Sequence, residues 1–219
     1  MIGAYAQEGE MEEAKSIFDQ IPETDLVAWT TMITGYSRTG QLESAKLLFD
    51  SMPVHDIVSW NAMLSAYAMN NRIEDAKAMF EQMPHRGLSS WNSMLCGYVQ
   101  TGHIEQAKSL FDMAPEKPPV LWNNMISLFV QSGDLDAAKK IFEEMPDANQ
   151  VSWNSIVTGL AKAGHLEDAV SYFERIPEKS LVSCNALIQA FGENGFLEKA
   201  KGLFDGIAHK NVVSWNLMV

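Results

Sequence analysis

Asparagine recurs in this chain at a fixed interval. Asn61, Asn92, Asn123, Asn154, Asn185 and Asn216 stand 31 residues apart, with Thr30 in the first register. A primary amide offers donors and an acceptor on one short side chain. A ladder of such amides could hydrogen-bond the edges of successive nucleobases, with an apolar neighbour packing on the base faces. Asparagine is a poor helix former, so its recurrence needs a reason.

Other reactive side chains form no comparable pattern. His55, His85, His103, His165 and His209 are scattered and lack metal-ligand spacing. His103 and His165 occupy equivalent repeat positions, which suits a helix start. The His-x-Glu and Pro-Cys-x-x-Cys signature of zinc deaminases is missing. Cys96 and Cys184, the two cysteines, are expected to be packing residues in a reducing compartment. The sequence predicts no enzyme, no metal and no cofactor.

The elements that hold the asparagines follow from the same period. Each asparagine follows a column at positions 29, 60, 91, 122, 153, 184 and 215, which is tryptophan except at Cys184. An ungapped period of this length marks a repeat array, where each unit buries its apolar face against its neighbours. Trp29, Met32, Ile33 and Tyr36 follow helical spacing. Gly40 then ends the helix, and its column reads Gly9, Asn71, Gly102, Gly133, Gly164 and Gly195 elsewhere. A second helix is expected from Leu42 to Met52, with Leu42, Ala45, Phe49 and Met52 as its apolar stripe. Ala45 and Phe49 recur in every unit. Glu43 or its equivalent supplies a first-turn acid, and Pro53 or its equivalent follows the second helix.

The predicted fold is all-α, an α-solenoid of stacked antiparallel helix-turn-helix repeats. The predicted domain is a single array over 1–219. It comprises a partial repeat 1–25, repeats 26–56, 57–87, 88–118, 119–149, 150–180 and 181–211, and a partial repeat 212–219. It reads as a piece of a longer array.

At about 100° per residue, Val27, Thr30, Thr34 and Arg38 fall opposite the apolar face of the first helix. The equivalent stripes are mostly uncharged and polar, each beginning with valine except at Ser89. A competing structural reading has the asparagines cap helices or bond a neighbouring backbone. Ser59, Ser90, Ser152, Ser183 and Ser214, two places earlier, look like the caps instead.

The net charge of −12 argues against an indiscriminate polyanion binder. The acids fall mostly on second helices, away from the stripe. No apolar run is long enough to span a bilayer, so no membrane association is expected.

Runs such as Ile57-Val-Ser-Trp-Asn and Arg72-Ile-Glu-Asp-Ala-Lys-Ala-Met-Phe-Glu-Gln-Met-Pro resemble pentatricopeptide repeats. The 31-residue length and the Val-Ser-Trp-Asn start resemble the short repeats of the PLS class, found in plant organelle RNA-editing factors. The resemblance covers the whole chain. It implies binding of single-stranded RNA, one base per repeat, in RNA editing or processing within a plastid (chloroplast) or mitochondrion. It also implies other editing-factor proteins as partners.

In that family the residue after the tryptophan and the last residue of the unit select the base. The implied pairs are Thr30 with Asp56, Asn61 with Gly87, Asn92 with Pro118, Asn123 with Asn149, Asn154 with Ser180, and Asn185 with Asn211. Asp25 and Asn216 are half-pairs. The family pattern gives Thr/Asp a preference for G, and gives Asn/Asn or Asn/Ser a preference for pyrimidines, C favoured. Gly87 and Pro118 offer no side-chain hydrogen bond, so only a loose pyrimidine preference is expected there. The projected site is 5′-G-Y-Y-C/U-C/U-C/U-3′. Bases would stack between Val27, Val58, Val120, Val151, Val182 and Val213. Of the phosphate-contacting column only Arg38 and Lys162 are basic, which implies modest affinity.

Two alternatives stand beside this reading. One is a protein-binding scaffold, supported by the acidic total and apolar ends. The other is head-to-tail self-association through open solenoid ends.

Overall fold

The computed structural model describes residues 1–218, and among them every regular element is a helix. The chain divides into two compact units, Met1–Glu116 and Lys117 onward. The first contains α1 (Ile2–Glu8), α2 (Met11–Asp19), α3 (Leu26–Arg38), α4 (Leu42–Ser51), α5 (Ile57–Met69), α6 (Ile73–Gln82), α7 (Leu88–Thr101) and α8 (Ile104–Met113). The second contains α9 (Pro119–Ser132), α10 (Leu135–Glu144), α11 (Gln150–Lys162), α12 (Leu166–Glu174), α13 (Leu181–Glu193), α14 (Leu197–Asp205) and α15 (Val212–Asn216). Odd and even helices alternate as the first and second arms of hairpins, giving the all-α solenoid fold class expected from the sequence.

Each hairpin turns on a left-handed residue. Gly40 has φ 74°, and Asn71, which replaces glycine in its column, has φ 57°. One residue further on, the Gln41 N–H donates to Tyr36 O at 2.8 Å and the Arg72 N–H to Tyr67 O at 2.9 Å. These are Schellman bonds, which satisfy carbonyls that the helix end would leave open.

Within each unit, first helices pack on first helices, and α2, α4, α6, α10 and α12 each wedge between their own first helix and the next one. The alanine column makes this close approach possible. Ala14, Ala45, Ala76, Ala107, Ala138 and Ala169 are fully buried (0% exposed). Neighbouring hairpins are keyed by the tryptophan, which meets the phenylalanine of the preceding second helix edge to face. Ring centroids lie 4.8 Å apart for Phe18–Trp29, 5.1 Å for Phe80–Trp91 and 4.6 Å for Phe142–Trp153. Such pairs contribute about 0.5–1.5 kcal/mol beyond their buried area. Where Cys184 replaces the tryptophan, a cavity of about 660 Å³ opens beside Phe173, Leu203 and Ile207.

The structure corrects one expectation. The column serines are not the caps. The N-caps are the last residues of each 31-residue unit, including Asp25, Asp56, Asn149, Ser180 and Asn211. The serines lie three residues inside, fully buried. Ser59 and Ser152 close capping boxes by accepting from the N-cap N–H of Asp56 and Asn149. The chain is still extended at the unit's last residue (Asp56 has φ −108°, ψ 176°), so the helix starts there, ahead of the serine.

Candidate nucleic-acid interface

In each unit the first helices leave a stripe of side chains uncovered. In α3, Val27, Thr34 and Arg38 are exposed and Thr30 is half-buried. Along α5, α7, α9, α11 and α13 the first and last stripe positions are again exposed and the second half-buried, while the third is half-buried at Ser65, Cys96, Ser127 and Thr158 and exposed at Gln189. The valines are its most informative members. Val27, Val58, Val120, Val151, Val182 and Val213 are 46–69% exposed, although valine is among the residue types most often fully buried. Ser89 takes that place on α7 and is also exposed.

Grooves run along the stripe inside each unit. One of about 680 Å³ in the first unit is lined by Thr30, Thr34, Arg38, Val58, Asn61 and Ser65 among others. In the second unit Gln131, Asn154, Thr158, Lys162 and Val182 border one of about 280 Å³. Asn185, Asn211 and Val213 border another of about 330 Å³.

The asparagine rungs from Asn61 to Asn185 are half-buried, and several are tied to the next first helix. The Ser180 hydroxyl donates to Asn154 Oδ1 at 2.6 Å, and Gln150 Nε2 donates to the same oxygen at 3.3 Å. Asn123 Nδ2 donates to Asn149 Oδ1 at 3.5 Å. That oxygen also accepts from Val151 N and Ser152 N as the cap of α11. Asn185 and Asn211 share a groove, and Asn211 Oδ1 accepts from Ser214 N at 2.9 Å. The last-of-unit residues therefore serve as helix caps and, in two pairs, contact the asparagine directly.

Other pairs are not joined in this way. The Thr30 hydroxyl donates back to Leu26 O at 2.9 Å, and Asp56 Oδ1 accepts from Ser59 N at 2.8 Å. Among the described residues no hydrogen bond links Thr30 to Asp56. Gly87 and Pro118 cap α7 and α9 without a side-chain bond. Asn92 is half-buried on α7, and Asp25 caps α3 by accepting from Ala28 N at 2.7 Å. Asn216 is exposed on α15. Three stripe atoms, Asn123 Oδ1, Thr158 Oγ1 and Asn185 Oδ1, are buried without a protein partner. Buried polar atoms are normally satisfied.

Charge is sorted between the layers. Among the described residues, Glu8 and Glu193 are the only acids inside first helices. Arg38 and Lys162 are the only cations there and are exposed. The ion pairs belong to second helices and turns. Arg175 reaches Glu143 at 2.6 and 3.0 Å and lies over the Tyr172 ring at 4.9 Å. That bond holds the Glu143 carboxyl below its ordinary range. Burial, then the Glu143 contact, pushes the Tyr172 hydroxyl up to about 12.

Two features of the site were not read from the sequence. One is the hydroxyl pair Ser65–Ser93, 3.0 Å apart, which links α5 to α7. The other is the bond from Ser90 to Asn61. The glycine at position 87 was the one available signal for the second.

Fold and stripe together define a helical-hairpin repeat protein whose first helices present an amide beside an apolar residue, with Thr30 in place of the amide on α3 and Ser89 in place of the apolar residue on α7. The particular family follows from comparison with known proteins. The PPR repeat model matches 1–25, 27–57, 89–117, 120–149, 151–181 and 182–212, and the related PPR repeat family model matches 55–90. The chain belongs to the PPR repeat family. A pentatricopeptide repeat-containing protein of Arabidopsis thaliana is 54% identical over 35 residues, which is 16% of this chain and 6% of that protein. A second from the same plant is 49% identical over 35 residues, 16% of this chain and 5% of that protein. The crystal structure of the pentatricopeptide repeat protein PPR10 from maize superposes with a TM-score of 0.75 at 21% identity, covering 99% of this chain and 35% of that one. PPR10 in complex with an 18-nt psaJ RNA element gives 0.68 at 20% identity, over 99% and 34%. The chain thus spans about a third of PPR10.

Proposed function

We propose that the chain binds single-stranded RNA sequence-specifically, one base per 31-residue repeat, as one array of short, PLS-class pentatricopeptide repeats. The observation that carries this reading is the column of exposed valines beside half-buried amide rungs. Apolar side chains left in water in every register but that of Ser89 suit base faces, and amides beside them suit base edges. The structure of PPR10 with an RNA element supports the same reading. The base-selecting pairs are those named from the sequence, Thr30/Asp56 through Asn185/Asn211, and the site is 5′-G-Y-Y-C/U-C/U-C/U-3′. Arg38 and Lys162 contact phosphate. The role is target recognition in RNA editing or processing, with further editing-factor proteins as partners, in a plastid or mitochondrion. Plant proteins carrying the same repeats support that setting.

The test exchanges one pair. Asn154→Thr with Ser180→Asp should move selectivity opposite that repeat from C to G, measured by fluorescence anisotropy on oligonucleotides differing at that base. Unchanged selectivity in a folded variant refutes the residue assignment. An RNA of the projected pattern binding no tighter than its purine complement, at the same low salt, refutes the function.

A further inference from the structure

The repeat 57–87 ends in Gly87 and so lacks the side chain that would accompany Asn61. The structure places another hydroxyl in that role. Ser90 Oγ donates to Asn61 Oδ1 at 2.7 Å, and Ser90 is fully buried. In the Asn154/Ser180 pair, Ser180 Oγ donates to Asn154 Oδ1 at 2.6 Å. The acceptor atom, the donor group and the distance all correspond, although the serine sits three residues further along the chain.

The reason lies in helix capping. Where the cap is asparagine, the N3 serine hydroxyl donates to its side chain: Ser152 to Asn149 Oδ1 and Ser214 to Asn211 Oδ1. Ser59 instead bonds the Asp56 backbone, accepting from its N–H and donating to its carbonyl. Gly87 offers no side-chain acceptor of the Asn149 or Asn211 kind, and the Ser90 hydroxyl donates to the amide of the preceding first helix. The backbone has not moved to cause this. Gly87 has φ −92° and ψ 177°, close to Ser180 at φ −88° and ψ 156°.

We propose that Ser90 is the specificity partner of Asn61, so that repeat 57–87 selects a pyrimidine as firmly as the Asn154/Ser180 repeat does. With Oδ1 held by the hydroxyl, as Asn154 Oδ1 is by Ser180, the rung has its Nδ2 protons left to donate to a base edge. This rests on the RNA-binding reading above and replaces the loose preference expected from Gly87.

The experiment uses the full chain and RNA oligonucleotides carrying each of the four bases opposite repeat 57–87. Binding is followed by anisotropy, and folding by circular dichroism. Wild type should favour pyrimidine over purine there by about fivefold, the low end of a single mismatched contact. Ser90→Ala should bring that ratio below about twofold, since one hydrogen bond of this size is lost. Adding Gly87→Ser should restore it. A Cβ at Gly87 meets only Ile57 Cδ1 at 3.8 Å, an ordinary contact, and its hydroxyl can donate as Ser180 does. Ser152→Ala should leave the ratio at this base unchanged. If folded Ser90→Ala keeps the wild-type ratio, or Gly87→Ser fails to rescue it, the inference is overturned. Wild type that selects opposite Asn154/Ser180 but not opposite Asn61 overturns this inference alone. Wild type with no base preference at either repeat overturns the function and this inference with it.

Discussion

Gly159→Ala should destabilise the chain, against the usual effect of removing a helical glycine. Gly159 sits mid-helix on α11 and is buried against α9. An added Cβ would lie 2.5 and 2.6 Å from the two γ-methyls of Val130 and 3.2 Å from its Cβ. Valine in a helix has one strongly preferred rotamer, so Val130 cannot swing clear, and the two first helices must separate. Overpacking of this kind costs about 1–3 kcal/mol, while alanine in place of glycine gains at most about 1 kcal/mol of helix propensity. The net expectation is a loss of about 1 kcal/mol, or roughly 2–4 °C in the unfolding midpoint for a chain of this size. Gly192 is the internal control. It lies on α13 with nothing within 4 Å of a built Cβ, so Gly192→Ala should stabilise by up to about 1 kcal/mol. A urea or thermal double-mutant cycle with Val130→Ala isolates the clash. In that background Gly159→Ala should cost little, with a coupling of about 1–2 kcal/mol. If Gly159→Ala raises the midpoint as Gly192→Ala does, or the two changes are additive, the close α9–α11 contact is not what the glycine provides.

Three other outcomes are expected. Cys184→Trp should fill the cavity beside Phe173 and restore the edge-to-face key seen in other registers, raising the midpoint by roughly 2–4 °C for each 1 kcal/mol gained; a lower midpoint counts against a vacant tryptophan site. Glu143 is held below its ordinary pKa chiefly by Arg175. Its stabilising contribution is therefore complete above the ordinary value of 4.5 and is lost as pH falls through the depressed one. Glu143→Gln should flatten the acid limb of midpoint against pH. Both partners are nearly half exposed (side chains 45% and 48%), so the effect should stay within about 1 kcal/mol. RNA affinity should depend weakly on salt. Two phosphate contacts, from Arg38 and Lys162, give a slope of about −1.4 in log K against log salt. A much steeper slope would mean that other cations face the strand.

The hairpins, their turns and the stripe were legible in the sequence because they rest on local physics. Helical periodicity sorts side chains onto faces within a turn or two, whatever lies opposite. The left-handed turn needs Gly40, or Asn71 as its substitute, because of backbone sterics. The tryptophan and alanine columns announce packing because only a buried contact needs the same size at every repeat. The caps were misplaced because Ser59 and Asp56 are both good N-cap residues, and composition does not say where the extended backbone ends.

What only the tertiary structure decided is how each rung is satisfied. The bonds from Ser180 to Asn154 and from Ser90 to Asn61 join residues 26 and 29 apart in the chain. Hydroxyls at two different repeat positions reach the same kind of amide, and no period in the sequence marks them as equivalent. Their roles depend on how adjacent first helices approach, and that approach is set by contacts such as Gly159 against Val130. A repeating sequence determines its own helices and faces, because those depend on near neighbours along the chain. The partner of each polar atom depends on distances between helices, which are fixed only once the units have packed.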